Sequence, residues 1–332
     1  MSKREILSFW LRASGLGRAI RSARLWEGLL VAVYHRVGDG ASCRLNQDLF
    51  SATAEELDAQ IGFFKDNFDI VGPQDLARVS RARRGRYLQL TFDDGYRDNY
   101  QAAFPVLRAH GVSATFFVTT GYVDAPSLPW WDEIAWMVRG SERPGLPRSC
   151  FTREPLVFDG PTRIEAVRRL GSVSSALTPG ARRRLLDWLG EATGTGRGDS
   201  SVGRDLWMTW DMMREMRAGG MSFGAHTVSH PELSRLSRAE QTAEIRGSLQ
   251  RLEAELGASS RVFCYPFGHE GSFNDDTRAA LRECGVERAY VRHGGFQGLS
   301  GWDDYAIKRF SVETYKSRAL LEATATVPQL FA

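Results

Sequence analysis

Residues 90–96 read Leu90-Thr91-Phe92-Asp93-Asp94-Gly95-Tyr96, an apolar run that ends in two adjacent carboxylates. The run predicts a β-strand buried on both faces, and ionised carboxylates at the end of a buried strand need a compensating charge. A metal ion is the leading candidate for that charge. Adjacent side chains on a strand point to opposite faces, so we expect one of Asp93 and Asp94 to bind the metal and the other to stay free as a base.

Apolar runs of the same kind recur along the chain and alternate with helix-like segments. The predicted strands span residues 29–35, 87–94, 114–120, 221–227, 262–267, 289–293 and 307–312. Strands that alternate with helices predict a parallel sheet with right-handed crossovers, and seven or so strands suggest a closed or nearly closed (β/α) barrel of the α/β class. The carboxyl ends of the strands then share one edge, where Asp93, Asp94, His226 and Pro266-Phe267 are all expected.

The stretch from about residue 122 to 206 interrupts this alternation with several prolines and two helix-like segments, at 162–177 and 181–192. We predict that it is a helical insertion over the barrel mouth and not a separately folding domain. The predicted organisation is an amphipathic amino-terminal segment at 1–28 and a barrel at 29–332 that contains this insertion.

The overall composition is that of an ordinary globular protein. The chain has 332 residues, of which 42% are hydrophobic, which is ample for a packed core. A formal net charge of +3 is too small to indicate nucleic-acid binding by bulk electrostatics. The four cysteines lack the spacing of a disulfide framework or a thiolate zinc site, so a reducing compartment is the simpler interpretation.

The amino-terminal segment, residues 1–28, mixes apolar and basic residues. Its arginines interrupt every apolar stretch before a secretory signal or a membrane span could form, so we expect a cytoplasmic protein. The same alternation is typical of a basic amphipathic helix on an anionic membrane surface, which would place the protein at the inner face of the membrane. A helix that packs its apolar side on the domain is the alternative, and the sequence leaves both open.

A second motif, Gly224-Ala225-His226-Thr227-Val228-Ser229-His230-Pro231, places two histidines four residues apart. On a helical turn this spacing puts both imidazoles on one side, close enough to hold one cation. Two histidines and one carboxylate form a common facial ligand set, which accepts Zn²⁺, Co²⁺, Ni²⁺ or Mn²⁺. Zinc is the metal that we expect. A purely structural histidine pair is the alternative, and its coincidence with a second motif at Asp93-Asp94 argues against it.

The combination of Thr-Phe-Asp-Asp-Gly with His-Thr-x-x-His resembles the NodB-homology polysaccharide deacetylases, carbohydrate esterase family 4. The resemblance extends over about residues 31–312, with the stretch at 122–206 as additional material. It implies a distorted (β/α)7 barrel. It also implies the metal ligands Asp94, His226 and His230, with Asp93 as the general base.

The third motif of the family corresponds to Phe263-Cys264-Tyr265-Pro266-Phe267-Gly268. The resemblance implies that the backbone amide of Phe267 donates to the oxyanion of the tetrahedral intermediate. Family members usually carry an arginine at the position of Cys264, and that arginine orients the catalytic aspartate. Arg309 is a candidate substitute for it; a surface arginine is the alternative.

A second departure concerns the proton donor, because the late Leu-x-His of the family is missing. The pair Tyr34-His35 resembles the branch that includes the bacterial poly-N-acetylglucosamine deacetylases, in which an early histidine takes the general-acid role. His35 is therefore the candidate acid, and a satisfied core histidine is the alternative.

Several further side chains are candidates for contact with the substrate. They are Tyr96, Trp131, Asp132, Tyr265, Pro266 and His269. Paired tryptophans with acidic neighbours, as at Trp130-Trp131, could form a stacking platform for a sugar ring, although aromatic residues in a helical insertion more often pack in a core.

These features lead to three hypotheses about function. The first is a metal-dependent hydrolase that removes the N-acetyl group from an amino sugar in a glycan or glycan precursor, with an N-acetylated saccharide as its partner. The second keeps the metal site and changes the substrate to a small non-polymeric amide, such as a formamide. The third is a catalytically silent glycan-binding protein, which the two departures from the family pattern motivate.

Overall fold

The computed structural model describes residues 3–158, 160–198, 200–257, 261–312 and 317–331. The chain forms two compact units. The barrel unit comprises Met1–Gly38, Phe50–Asp124 and Met208–Ala332, and the insertion unit comprises Asp39–Leu49 and Ala125–Trp207.

Seven parallel strands form the centre of the barrel unit. They are β1 (Gly28–Tyr34), β2 (Arg86–Phe92), β3 (Thr115–Val118), β4 (Ser222–Ala225), β5 (Val262–Cys264), β6 (Arg288–Gly294) and β7 (Ile307–Ser311). Each strand pairs in parallel with the next one along the chain, and β7 pairs with β1, which closes the barrel. The predicted (β/α)7 barrel of the α/β class is confirmed.

Helices and short elements complete both units. The helices are α1 (Lys3–Ala13), α2 (Leu16–Ser22), α3 (Ala54–Asn67), α4 (Leu76–Val79), α5 (Phe104–His110), α6 (Thr120–Asp124), α7 (Trp130–Gly140), α8 (Gly160–Ala176), α9 (Pro179–Thr193), α10 (Ser200–Gly203), α11 (Trp210–Ala218), α12 (Arg238–Leu256), α13 (Asp275–Glu283), α14 (Arg318–Thr326) and α15 (Pro328–Phe331). Single 3₁₀ or π turns lie at Gln47–Leu49, Pro73–Asp75, Asn99–Ala103 and Leu233–Arg235. Short strands lie at Arg36–Val37, Phe50–Ala52, Asp69–Ile70, Gly145–Leu146, Leu156–Val157 and Phe296–Gln297.

Alternate residues of the barrel strands pack into two layers. On β2, Leu90 and Phe92 belong to a buried cluster that includes side chains of the surrounding helices. Gln89, which precedes Leu90 and points to the opposite face, lies in the barrel interior, where its side-chain oxygen accepts a hydrogen bond from Tyr290 Oη at 3.0 Å. The same alternation puts Asp93, the first residue after β2, on the inward side.

The insertion unit has an apolar cluster of its own. The cluster joins α7, α8 and α9 through Ile134, Val138, Leu170, Leu185 and Leu189. The longer segment of this unit corresponds to the predicted insertion at about 122–206, whereas Asp39–Leu49 was not predicted to be part of it. That the insertion covers the barrel mouth stays a prediction.

The amino-terminal segment forms α1 and α2, and α1 packs against α14. On α1 the apolar side chains of Ile6, Phe9 and Trp10 are exposed, while Ser8 is buried. Helix α1 therefore does not pack its apolar side on the domain, although Trp26, later in the same segment, is buried in the core. Among the described helices, none is both long enough and apolar enough to cross a membrane.

Candidate active site

The two sequence motifs meet at the carboxyl ends of the barrel strands. Asp93 and Asp94 directly follow β2, and His226 directly follows β4. Backbone hydrogen bonds fix the first of these turns, since Asp93 N–H donates to Tyr34 O at 2.9 Å and Thr119 N–H donates to Asp94 O at 3.2 Å. Closure of the barrel thus brings side chains together that lie more than a hundred residues apart.

Asp94, His226 and His230 form a group that could hold a metal ion, with one potential ligand atom from each residue and all three atoms within 4.8 Å of one another. Asp94 Oδ1 lies 3.4 Å from Nε2 of both histidines. This oxygen is buried and has no hydrogen-bond partner among the described residues. Two imidazole nitrogens and one carboxylate oxygen are a donor set that suits zinc and similar divalent metals.

The ring of His226 is held by the backbone of β5. Its Nδ1 lies 2.8 Å from Cys264 O. Because a carbonyl oxygen can only accept a hydrogen bond, Nδ1 carries a proton, and Nε2 is the ring nitrogen that faces Asp94. Metal-binding histidines are commonly oriented by a hydrogen bond of this kind.

The turns that carry these groups adopt backbone conformations that side chains usually avoid. The φ angles of Asp94, Thr227, His230 and Phe267 are 74°, 66°, 56° and 64°, and these are four of the five non-glycine residues with positive φ in the described chain. Each such residue costs on the order of 1–3 kcal/mol, and strain of this kind clusters at functional sites.

The expected helical turn between the two histidines is absent. Residues 226–232 lack regular secondary structure, so the helical spacing argument was wrong. The imidazoles converge instead through the left-handed conformations of Thr227 and His230. Thr227 Oγ1 accepts the His230 N–H at 2.9 Å, which closes this turn.

A glutamate that sequence reasoning missed also fixes the loop between the histidines. Glu244, on α12, accepts hydrogen bonds from Val228 N–H at 2.8 Å, from Ser229 N–H at 2.9 Å and from Ser229 Oγ at 2.6 Å. No local sequence pattern points to it, because the contacts span 15 or 16 residues and depend on how α12 packs.

Asp93 is bound inside the barrel by Arg309 of β7. Arg309 Nη1 donates to Asp93 Oδ1 at 2.8 Å and Nη2 donates to Oδ2 at 2.7 Å. The guanidinium is itself fixed, because Nε donates to Val291 O at 2.9 Å and Nη1 donates to Thr91 Oγ1 at 3.2 Å. Cys264 Sγ lies 2.9 Å from Nη2. Arg309 thus lies next to Asp93, as the candidate substitute for the arginine of the third motif would. The alternative of a surface arginine is wrong, because the Arg309 side chain is fully buried.

Charge near the two aspartates keeps both ionised. Burial alone would raise the pKa of Asp93, but the charge and hydrogen bonds of Arg309 outweigh burial and hold that pKa well below its usual range. Burial likewise opposes ionisation of Asp94, but the neighbouring His226 and His230 outweigh burial and lower its pKa. Both carboxylates are therefore negative at neutral pH.

The two histidines respond to burial differently. Burial lowers the pKa of His230 to about 3, so this ring is neutral at ordinary pH, which is the form that binds a metal. Burial also acts to lower the pKa of His226, but Cys264 and Asp94 beside it outweigh this effect and raise the pKa well above its ordinary value. The site therefore favours a positive charge next to Asp94, which either a proton or a cation can supply.

His35 follows β1 and is buried. Its backbone is fixed on both sides, because its N–H donates to Ser51 Oγ at 3.0 Å and its carbonyl accepts from Asn99 Nδ2 at 2.7 Å. The ring is close enough for its charge to lower the pKa of both Asp93 and Asp94. Because Tyr34 is in register with Phe92, His35 and Asp93 follow neighbouring strands at the same level.

The third motif reaches the same place through Phe267, whose ring centroid lies 5.2 Å from that of His230. Other residues of this motif serve packing. Tyr265 is buried, stacks on Phe273 with ring centroids 4.1 Å apart, and donates its hydroxyl to Tyr305 O at 2.9 Å. Pro266 is also buried. Contact of Tyr265 or Pro266 with a substrate stays a prediction.

Three further predicted substrate contacts are also buried. Tyr96 is fully buried, and the guanidinium of Arg36 lies 4.9 Å from its ring centroid. In the insertion unit, Trp131 packs edge-on against Trp130, and Asp132 Oδ1 accepts the Asn46 N–H at 2.9 Å. Contact of these three side chains with a substrate also stays a prediction.

His269 is the exception among the candidates for substrate contact, since 60% of its side chain is exposed. Its Nδ1 accepts the Gly271 N–H at 3.2 Å, and its Nε2 lies 4.0 Å from Glu232 Oε1. Contact of His269 with a substrate stays a prediction.

The residues of this site lie in a region that matches a known protein family. The family model for polysaccharide deacetylase matches residues 80–142 and 190–289, a range that includes both aspartates, both histidines and the third motif. The gap between the two matched segments lies within the insertion unit.

Two curated relatives are similar in sequence. YxkH of Bacillus subtilis, assigned to the polysaccharide deacetylases, is 20% identical over 271 residues, which are 80% of this chain and 65% of that protein. The poly-beta-1,6-N-acetyl-D-glucosamine N-deacetylase of Escherichia coli is 29% identical over 107 residues, which are 30% of this chain and 15% of that protein. The chain thus spans less than two thirds of the length of either relative.

Solved structures share the fold. IcaB from Ammonifex degensii superimposes with a TM-score of 0.57 at 18% identity, covering 90% of this chain and 97% of the other. A deacetylase from Streptococcus pyogenes, PplD in complex with acetate, gives a TM-score of 0.54 at 19% identity and covers 86% and 92%. The de-N-acetylase from Aggregatibacter actinomycetemcomitans gives 0.57 at 16% identity and covers 89% and 98%.

Proposed function

Since the chain belongs to the polysaccharide deacetylase family, we propose that it is a metal-dependent hydrolase that removes the N-acetyl group from an amino sugar in a glycan or glycan precursor. The observation that carries this proposal is that two adjacent carboxylates have different neighbours. Asp94 lies beside two histidines, and Asp93, one residue earlier, is held by an arginine.

The proposed metal ligands are Asp94, His226 and His230. The buried oxygen Asp94 Oδ1, which has no hydrogen-bond partner among the described residues, fits a cation. A divalent ion held there, with zinc the one that we expect, would act as a Lewis acid on the amide carbonyl and would acidify the attacking water.

Asp93 is the proposed general base. A carboxylate has about four lone-pair positions, and Arg309 occupies two of them through the two hydrogen bonds to the opposite oxygens. The remaining positions can receive the proton of the water that attacks the amide carbon. Because Arg309 keeps Asp93 ionised, the base is available at neutral and mildly acidic pH.

The remaining steps use Phe267 and His35. The backbone N–H of Phe267 is the proposed donor to the oxygen that becomes negative when water adds. His35 is the proposed general acid, which protonates the amine nitrogen as the carbon–nitrogen bond breaks. The products are acetate and the free amino sugar.

The substrate class rests on the early Tyr34-His35 pair and on the relative from Escherichia coli that is named for poly-beta-1,6-N-acetyl-D-glucosamine. An N-acetylated saccharide with exposed N-acetylglucosamine units is therefore the first substrate to test.

The test is product analysis with purified protein, divalent metal and N-acetylglucosamine oligomers. We expect release of acetate and an equal amount of free amine, with loss of both in Asp93→Asn. Turnover of small formamides, with no acetate from any sugar, would instead favour the small-amide hydrolase. A protein that holds no divalent metal, and whose properties Asp93→Asn leaves unchanged, would be the catalytically silent glycan binder.

A further inference from the structure

Helix α1 is packed in the reverse of the usual amphipathic arrangement. Its contact with α14 includes an ion pair between Arg12 Nε and Glu322 Oε2 at 3.7 Å, and Ser8 of the same face is buried. Phe9 and Trp10 are 56% and 62% exposed on the other side. A helix that turns its polar face to the protein and its large apolar side chains to the solvent has an apolar surface that a further partner can bury.

The two amino-terminal helices and α14 border a cavity of about 1080 Å³. Its ionisable lining is strongly basic, with Asp66 and Glu322 as acidic residues against six arginines: Arg12, Arg18, Arg21, Arg24, Arg86 and Arg318. With all of these groups ionised, the lining carries four more positive than negative charges. This excess predicts an anionic occupant.

Arg86 is the buried cation of this cavity, with only 7% of the residue exposed. Its Nη1 and Nη2 donate to two backbone carbonyls, Arg21 O and Ala325 O, both at 3.1 Å. Its Nε is buried and has no hydrogen-bond partner among the described residues. Burial, together with the charges of Arg24 and Arg21, lowers the pKa of Arg86 to about 10. A buried guanidinium among other arginines, with an unsatisfied donor, is a site for an anion.

We propose that the amino-terminal helices are a docking surface for an anionic phospholipid bilayer. The exposed apolar side chains of α1 enter the headgroup region, and the arginine-lined cavity receives a lipid phosphate. The two features together identify the partner, because a soluble phosphate would need no exposed tryptophan and a neutral bilayer would need no basic cavity. This inference is independent of the proposed catalytic function.

Co-sedimentation of the full chain with vesicles tests the proposal. We expect binding to phosphatidylcholine vesicles that contain phosphatidylglycerol, weak binding to pure phosphatidylcholine, and a decrease as salt is added. Trp10→Glu should abolish measurable binding, and Arg18→Gln should weaken it about fivefold, the effect expected for one basic residue at an anionic surface. Both residues are exposed, so neither change should disturb folding.

Matched controls come from the insertion unit. Val157 is 61% exposed, close to the value for Trp10, and Arg153 is also exposed. Val157→Glu and Arg153→Gln should leave vesicle binding unchanged. Equal binding to both kinds of vesicle, or equal losses in the controls, would overturn the proposal. Thermal stabilisation by soluble glycerol phosphate without any vesicle binding would also overturn it and would assign the cavity to a soluble phosphate.

Discussion

Arg309 and Asp93 form a two-pronged ion pair inside the barrel, although 216 residues separate them in sequence. Both side chains are buried, with 0% of Arg309 and 2% of Asp93 exposed. Family members usually supply the arginine from the third motif, where this chain has Cys264. Here the guanidinium comes from β7 and reaches the same carboxylate past the cysteine, whose Sγ lies 2.9 Å from Nη2.

Loss of this guanidinium should move the acidic limb of the pH–rate profile. In Arg309→Gln the burial of Asp93 is no longer offset, so its pKa rises and the base is protonated over more of the acidic range. We expect kcat/KM to fall with decreasing pH at values where the native enzyme is still fully active. Removing one partner of a buried pair also costs about 3–5 kcal/mol of stability. Arg309→Lys keeps the charge and provides a folded variant with a smaller shift.

Arg288→Gln is the control for this experiment, because Arg288 lies on the neighbouring strand β6 and pairs with Asp304 at 3.1 Å, outside the site. An acidic limb that stays in place in Arg309→Gln would show that Arg309 does not set the protonation of Asp93.

Exchanging the residues at positions 264 and 309 should test whether an arginine at either position can hold Asp93. Arg309→Cys alone should lose most activity, and Cys264→Arg alone should be destabilised, because two guanidinium groups would then compete for one buried carboxylate. The double variant, Cys264→Arg with Arg309→Cys, should recover part of both losses. In a double-mutant cycle on activity and unfolding, we expect a coupling of about 1–3 kcal/mol. Simple additivity of the two single changes would count against a shared role.

Substitutions of the two adjacent aspartates should have different effects, one on metal binding and the other on base catalysis. We expect Asp94→Ala to lose bound divalent metal and activity together, because it removes a ligand. Asp93→Asn should keep the metal and lose about 10²–10⁴-fold in kcat, the range for a general base. Metal content by elemental analysis, combined with acetate release, distinguishes the two.

The control for these variants is Asp58→Asn. Asp58 and His110 form a carboxylate–histidine pair at 2.8 Å outside the site, so this change should alter neither metal content nor rate. Metal loss in Asp93→Asn equal to that in Asp94→Ala would mean that the two carboxylates do not have separate roles.

Glu244 should act on the metal through the loop that it holds. Glu244→Gln replaces an acceptor of three hydrogen bonds by a group with one acceptor oxygen, which loosens the turn between His226 and His230. We expect metal affinity to fall about 10–100-fold, as for other outer-shell changes, while excess metal restores the rate. Glu253→Gln, an exposed position on the same helix, should have no effect. A rate that excess metal fails to restore would assign Glu244 another role.

His35 should control the basic limb of the profile, since a general acid must be protonated to act. His35→Gln cannot supply a proton, so we expect a loss of about 10²–10⁴-fold in kcat and a flatter basic limb. Metal content should stay unchanged. His293→Gln provides a matched control, because His293 is a partly buried histidine at the end of β6. An unchanged rate in His35→Gln would show that another group is the general acid.

The sequence was most informative where the signal was local. Adjacent residues were enough to predict the strands, from their apolar character, and the two motifs that contain Asp93-Asp94 and His226 with His230. The prediction of a helical turn between His226 and His230 failed because left-handed conformations at non-glycine residues leave no clear mark in a sequence. The sequence could not show that Tyr96 and Tyr265 are buried, because an aromatic residue next to a motif can lie either in the core or at the surface.

The sequence by itself determined the barrel, because strand and helix periods depend on neighbouring residues, and it determined which residue types gather at the carboxyl ends of the strands. Tertiary structure alone decided which arginine holds Asp93, which carbonyl fixes the ring of His226, and that α1 turns its apolar side outward. These relationships depend on contacts between segments that meet only when the chain is folded. Local sequence patterns cannot encode such contacts, because the energy that selects them comes from burial and pairing across the whole fold.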